Sequence, residues 1–235
     1  MRFVAFAGAL ALCACAPPPP PAQTASAQWP PCSAAQDSAD PTTPFAAHEC
    51  KLEAAGQIFH VAFAAVPAGG TGGEVTVESI SSTGSVSQRL TENNVSEYLN
   101  PTIEDVDGDG RVDVLIARDT GNVNTNYAVW RNVDGRFARL GEVSGVEFKR
   151  TADGLLAVPA RSSAASWVVA FYRIDPDTLV PLVTIDVTAD QTDDQGHIVH
   201  STCTVEEAPG LPTLRLTEAA AEAKFCAEPA AKVFD

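Results

Sequence analysis

Positive charge is scarce in this chain. Lysine and arginine number 15 against 30 aspartate and glutamate residues, so the formal net charge is −15 at pH 7. Such a chain is repelled by the phosphates of nucleic acids and by anionic lipid headgroups, whereas it attracts basic proteins and divalent cations. The composition therefore argues against a nucleic-acid partner. An excess of acidic residues also aids solubility, and solubility alone would explain the negative net charge.

Catalytic motifs are lacking as well. No Gly-x-Ser-x-Gly turn occurs, and His48 and His60 stand alone in the sequence. A nucleophilic hydrolase needs a serine or cysteine within reach of histidine. Pairs of carboxylates, which glycosidases use, are too frequent among 30 acidic residues to be specific. We therefore predict that the protein is not an enzyme.

Long apolar runs are missing except at the start, where residues 3–12 follow Arg2. This run is too short to span a bilayer and is typical of a signal peptide. Leu12, Cys13, Ala14 and Cys15 then have the form of a bacterial lipobox. We predict a signal peptide over residues 1–14, with Cys15 as the lipidated N-terminus; an ordinary signal peptide cut nearby is the alternative. Ala16, rather than aspartate, favours the outer membrane as the anchoring site on the periplasmic side.

Five consecutive prolines occupy residues 17–21. Consecutive prolines hold an extended polyproline geometry and serve as spacers. We therefore predict a proline-rich tether over residues 15–28 and a single domain over residues 29–235, which is long enough to bury a core.

Four of the six cysteines lie in the predicted domain: Cys32, Cys50, Cys203 and Cys226. An even number in an exported domain predicts two disulfides. Three pairings are possible, and we favour Cys32–Cys50 with Cys203–Cys226 because each closes a local loop. A zinc site is the alternative, but no Cys-x-x-Cys pair is present.

Short apolar and alternating segments recur every ten to twelve residues from Gly56 onwards, separated by turns such as Asp134-Gly135. This spacing predicts an all-β sandwich, barrel or propeller of short antiparallel strands. Only residues 218–225 read as a helix, because Thr217 can cap an alanine-rich segment that Pro229 ends.

The most specific motif is an aspartate-rich loop within residues 103–117. Asp105, Asp107, Asp109 and Asp113 occupy positions 1, 3, 5 and 9 of an EF-hand-like calcium loop, with Gly110 at position 6. Calcium prefers hard oxygen ligands, and alternate carboxylates on a tight loop can share one centre. The alternative is a turn rich in Asp and Gly that binds nothing, although four carboxylates so close together would then only repel one another.

Two further features define this loop. The main-chain oxygen of Arg111, at position 7, would be a backbone ligand, but position 12 is Ile116 and not the glutamate of an EF-hand. The residues after the loop alternate as in a strand. We therefore predict a structural Ca²⁺ site at a strand entry, with no helix pair for the ion to open.

The loop resembles the calcium loops of FG-GAP-type β-propellers, which repeat the motif, whereas here it occurs once. The chain is more similar to a group of bacterial periplasmic lipoproteins with small β-propeller-like domains. This likeness spans about residues 100–187 and includes, besides the loop, the segments 121–122, 126–127, 132–137 and 161–172.

The resemblance implies a calcium-binding inhibitor of peptidoglycan-cleaving, lysozyme-like enzymes. Some members of the group are immunity proteins against effectors of a bacterial-killing type IV secretion system. The expected partner is then a peptidoglycan hydrolase, and the membrane is contacted only through the lipid anchor. The alternative is a calcium-stabilised envelope adhesion or scaffold module of FG-GAP type with no inhibitory role.

Overall fold

A computed structural model describes residues 29–33, 47–64, 72–96 and 99–234, and this part of the chain is all-β. Its strands form three antiparallel sheets. The strands are β1 (His48–Ala54), β2 (Gln57–Ala64), β3 (Gly73–Ile80), β4 (Val86–Val95), β5 (Thr102–Glu104), β6 (Asp113–Thr120), β7 (Thr125–Val133), β8 (Arg136–Gly145), β9 (Lys149–Arg150), β10 (Leu156–Arg161), β11 (Ser166–Asp175), β12 (Thr178–Thr192) and β13 (Ile198–Glu207).

Each sheet is a meander in which strands that are consecutive in sequence are paired. Sheet 1 has the order β1-β2-β3-β4, sheet 2 the order β5-β6-β7-β8, and sheet 3 the order β13-β12-β11-β10-β9. Sheet 2 packs between the others, because β4 lies against β6 and β8, and β8 lies against β10 and β12. This architecture confirms the all-β prediction and places the aspartate-rich loop in the central sheet.

Alternating burial along the strands builds the cores between these layers. In sheet 1, Phe59, Val61, Val75 and Val77 are fully buried, and Phe59 meets Phe137 of sheet 2 edge to face at 6.0 Å between ring centroids. A second core lies between sheets 2 and 3, and a third lies under the C-terminal segment. Because successive side chains of a strand point to opposite faces of its sheet, the apolar side chains collect on one face and pack against the neighbouring sheet.

The C-terminal segment is helical and packs on sheet 3. Helix α1 (Leu211–Leu214) is a single turn that the sequence did not predict. Helix α2 (Glu218–Phe225) follows it and confirms the predicted helix. The hydroxyl of Thr217 accepts a hydrogen bond from the Ala220 N–H, which is the expected N-cap. A 3₁₀ turn (Pro229–Ala231) then begins at the proline that was expected to end the helix.

The preferred cysteine pairing is present. Cys32 is bonded to Cys50 on β1, and Cys203 on β13 is bonded to Cys226 at the end of α2. The first bridge ties the segment before sheet 1 to its edge strand, and the second ties the helix to the edge strand of sheet 3.

Strand β1 was not expected, because the predicted strands begin at Gly56. Strand β8 runs without interruption through Gly141 to Gly145. Gly141 has a φ of 144° and sits at a register shift opposite Val129 and Trp130, so it marks a β-bulge within one strand.

The predicted signal peptide, Cys15 and the tether lie outside the described residues. Within the described ranges, no helix combines the length and the apolar composition needed to cross a bilayer.

Candidate metal centre

The aspartate-rich loop connects β5 to β6 in the central sheet. It begins after Glu104 and ends where Asp113 opens β6, so a strand does follow the loop. Thr102, Ile103 and Glu104 pair with Leu115, Val114 and Asp113, which closes the loop at its base. The antiparallel pair therefore fixes both ends of the loop on one rigid hairpin.

Three of the predicted ligands converge. Asp105, Asp107 and Asp109 each place a carboxylate oxygen so that the three atoms lie within 4.8 Å of one another. In the described part of the chain, no other three acidic, histidine or cysteine side chains come together in this way. Three hard anionic oxygens at this separation form the kind of donor set that calcium prefers.

The loop holds this arrangement through its own backbone. Asp105 accepts hydrogen bonds from the N–H groups of Gly108 and Gly110, at 2.5 and 2.9 Å. Asp107 accepts from the Asp109 N–H at 3.0 Å, and Asp109 accepts from the Arg111 N–H at 2.9 Å. Gly110 has a φ of 85°, a left-handed conformation that costs residues with a side chain more than glycine, so its place at the turn is explained.

Asp113 is not one of these three converging carboxylates. It is fully buried, and its two carboxylate oxygens accept hydrogen bonds from the N–H groups of Val106, at 3.0 Å, and Asn132, at 2.8 Å. Burial raises the pKa of Asp113 to about 6, with a smaller contribution from the nearby charges of Asp107 and Asp109, while the two N–H donors act in the opposite direction. In this conformation Asp113 ties the loop to β7.

Two arginines neutralise part of the loop charge. The Arg111 guanidinium is 3.0 Å from the carboxylate of Asp109 and 2.8 Å from that of Asp134. Since the side chain is positively charged, only the main-chain oxygen of Arg111 could bind a cation. Arg131 on β7 contacts the carboxylate of Asp107 through its Nε. The negative charge of the loop is thus partly compensated by one arginine of the loop and one arginine of β7.

The residues present fit a calcium ion. Asp105, Asp107 and Asp109 would supply carboxylates. The Arg111 carbonyl, at position 7 of the loop, would add a neutral oxygen in the order typical of calcium sites. These are fewer protein ligands than the six to eight that calcium takes, so bidentate carboxylates or water would complete the set. The position-9 role of Asp113 stays a prediction: like Asp105, it accepts one N–H on each carboxylate oxygen and keeps lone pairs that a cation could use.

Sequence reasoning did not identify Arg131, Asn132 or Arg150 as parts of this site. Arg150 donates to the main-chain oxygen of Val106 at 3.2 Å, and its guanidinium lies where a side chain at Gly108 would have to go. These residues come from β7 and β9, far from the loop in sequence, and no local pattern marks them.

Comparisons with protein families, with curated proteins and with solved structures give no match to this chain.

Proposed function

We propose that this protein is a periplasmic lipoprotein that binds calcium structurally and inhibits a peptidoglycan-cleaving, lysozyme-like effector enzyme, as an immunity protein does. The observation that carries the proposal is the convergence of Asp105, Asp107 and Asp109 on a single loop. That loop is also the most specific point of likeness to the inhibitor lipoproteins. The role is one of binding, not of catalysis.

The scaffold supports a binding role. Each sheet is an antiparallel meander of four or five strands, comparable to a propeller blade, and a propeller-like arrangement is part of the proposal. Disulfides fasten the edge strands of sheets 1 and 3. A rigid scaffold lowers the entropic cost of association, because little has to be ordered on binding.

The charge of the chain supports a basic partner. With a net charge of −15, the protein would accelerate its encounter with a basic hydrolase through long-range attraction. Calcium would act indirectly, because it would fix the entry of β6 in the central sheet rather than contact the partner.

The test is inhibition of cell-wall hydrolysis. Purified protein would be added to lysozyme-like enzymes, including the product of any hydrolase gene adjacent to its own, while the clearing of a peptidoglycan suspension is followed. We expect inhibition with nanomolar-range binding in calcium and weaker inhibition in excess chelator. If no hydrolase is bound and clearing is unaltered, the inhibitor proposal is wrong. Stable capture of a non-enzymatic envelope protein would instead support the adhesion or scaffold alternative.

Anchoring is tested separately. Lipidation at Cys15 predicts incorporation of a labelled fatty acid and recovery with the outer-membrane fraction, and both should be lost in Cys15→Ser. Release of the parent protein into the soluble periplasmic fraction would favour an ordinary signal peptide.

A further inference from the structure

An open cleft lies where sheets 2 and 3 meet, at the opposite end of β6 from the aspartate-rich loop. Its volume is about 400 Å³, and it is lined by two loops, residues 121–124 between β6 and β7 and residues 161–164 at the end of β10. This volume is at the lower end of the range for small-molecule sites. Among the described residues, no acidic side chain lines it, although the chain has twice as many acidic as basic residues.

The two loops are fixed to each other. The Asn124 side chain accepts a hydrogen bond from the Arg161 N–H at 2.8 Å and donates one to the Arg161 main-chain oxygen at 2.9 Å. The Gly121 N–H donates a hydrogen bond to the main-chain oxygen of Asn124 at 2.8 Å, which closes the first loop. The walls of the cleft are therefore set before any ligand arrives, which reduces the cost of binding.

Arg161 is held in place without being neutralised. Its Nε donates to the Ser163 oxygen at 2.9 Å, its Nη2 donates to the Ala164 oxygen at 3.2 Å, and its guanidinium lies over Trp167 at 5.9 Å. Both hydrogen-bond acceptors are neutral carbonyls, and among the described residues no carboxylate pairs with Arg161. Of the five guanidinium N–H groups, two on Nη1 and one on Nη2 remain for a ligand. One N–H on Nη1 and one on Nη2 together form an edge of the guanidinium that can bind both oxygens of a carboxylate.

We propose that this cleft binds the free C-terminal carboxylate of a short peptide that ends in small apolar residues. One fixed guanidinium matches the single charge of a carboxylate better than the higher charge of a phosphate, and the part of the chain that the structure describes places no second cation in the cleft. Asn122 and Ser163 line the cleft, and their amide and hydroxyl are groups that can hydrogen-bond a peptide; exposed Val123 offers an apolar contact. This proposal is independent of the calcium site and goes beyond the inhibitor function.

Such a carboxylate could belong to a protein C-terminus or to a peptidoglycan stem peptide, which ends in D-alanine. The probes are therefore acetyl-L-Ala-L-Ala and acetyl-D-Ala-D-Ala, each compared with its C-terminal amide. Binding to the full-length protein would be followed by amide chemical shifts in a titration to millimolar concentration. We expect at least one free acid to shift the resonances of residues 121–124 and 161–164, and its amide to bind at least about tenfold more weakly.

Substitutions then assign the contact. Arg161→Gln should weaken binding by about tenfold or more, and Arg161→Lys should weaken it too, because lysine lacks the planar fork. Arg136→Gln is the matched control: it removes the same charge from an exposed arginine outside the cleft, and should bind as the parent does. Asn122→Asp adds a repelling charge while leaving every Arg161 contact intact, so it should abolish binding even if Arg161 variants disturb their loop.

The outcome for each peptide has a defined meaning. Binding of the D,D acid alone assigns the cleft to cell-wall peptides, and binding of the L,L acid assigns it to protein C-termini. If neither acid binds, if amides bind as well as acids, or if Asn122→Asp binds as the parent does, the proposal is overturned. None of these results depends on whether a hydrolase is inhibited.

Discussion

The indole Nε1 of Trp130 donates a 2.9 Å hydrogen bond to Glu92, a carboxylate buried where sheet 1 packs on sheet 2. The Arg139 guanidinium donates to both oxygens of the same carboxylate, at 2.7 and 3.2 Å, and Arg118 lies 3.6 Å away. A buried charge is costly unless it is paired and hydrogen-bonded. Glu92 therefore connects β4 to β6, β7 and β8 through a single side chain.

Replacing Glu92 with Gln should destabilise the protein by about 2–4 kcal/mol, because two arginines and an indole would lose a charged acceptor. The measurement is equilibrium unfolding in urea. Glu74→Gln, on the exposed surface of β3, is the control and should change stability by less than about 0.5 kcal/mol. Equal effects of the two substitutions would show that the Glu92 cluster contributes nothing specific.

The lowered pKa of Glu142 predicts that the protein loses stability at acid pH. Hydrogen bonds from Arg139, and secondarily from Asn126 and Arg118, lower the pKa of Glu142 from 4.5 to about 2. Because the folded-state pKa is depressed, this contribution is fully present above about pH 4.5 and is lost as pH falls towards 2.

The expected result is that Glu142→Gln melts below the parent at pH 7, and that the difference shrinks between pH 4.5 and 2. Solvent screening should keep the difference modest, because the Glu142 side chain is 35% exposed. Melting curves across this pH range provide the measurement, and a constant difference would contradict the assignment.

Local sequence predicted the elements that depend on neighbouring residues. The turn at Asp134-Gly135, the Thr217 cap and the aspartate loop all follow from spacings of a few residues, and the pairing of cysteines followed from short loop closure. Strand β1 was missed because its sequence, His-Glu-Cys-Lys-Leu-Glu-Ala, is rich in helix-favouring residues. Pairing with β2 and the Cys50 bridge override that preference.

The hydrogen bonds of Asp113 show a second limit. Its spacing from Asp105 predicts a calcium ligand, and the structure adds a second role, because its carboxylate accepts a hydrogen bond from the Asn132 N–H on β7, 19 residues away. Register between β6 and β7 decides this, and register is a tertiary property that the loop sequence does not contain.

Calcium bound at the loop should raise the melting temperature, because an ion that binds only the folded state stabilises it. We expect excess chelator to lower the melting temperature of the parent and to have little effect on Asp109→Ala, which removes the side-chain oxygens at this position. The control is Asp134→Ala: Asp134 also pairs with Arg111 but lies outside the three-carboxylate group. If chelator leaves the parent unchanged, the site is not a structural calcium site.

Asp113→Ala should behave differently from the loop ligands. It would leave the buried N–H groups of Val106 and Asn132 without acceptors, at a cost of about 2–4 kcal/mol. This loss should appear in urea unfolding both in calcium and in chelator. A loss confined to calcium-containing buffer would instead mean that Asp113 contributes to stability only as a ligand of the ion.

The Cys203–Cys226 bridge should hold helix α2 on the edge of sheet 3. Phe225 is fully buried against Phe171, with ring centroids 4.6 Å apart, and Ala221 is buried beside it. Replacing both cysteines with serine removes a cross-link over 23 residues, which corresponds to about 3 kcal/mol in the chain-entropy description. We expect faster amide hydrogen exchange in residues 218–225 and along β13, with little change in sheet 1.

The matched variant Cys32→Ser with Cys50→Ser should loosen β1 and leave α2 protected, because its bridge lies in a different layer. Unchanged exchange in α2 after loss of Cys203 and Cys226 would show that apolar packing alone holds the helix.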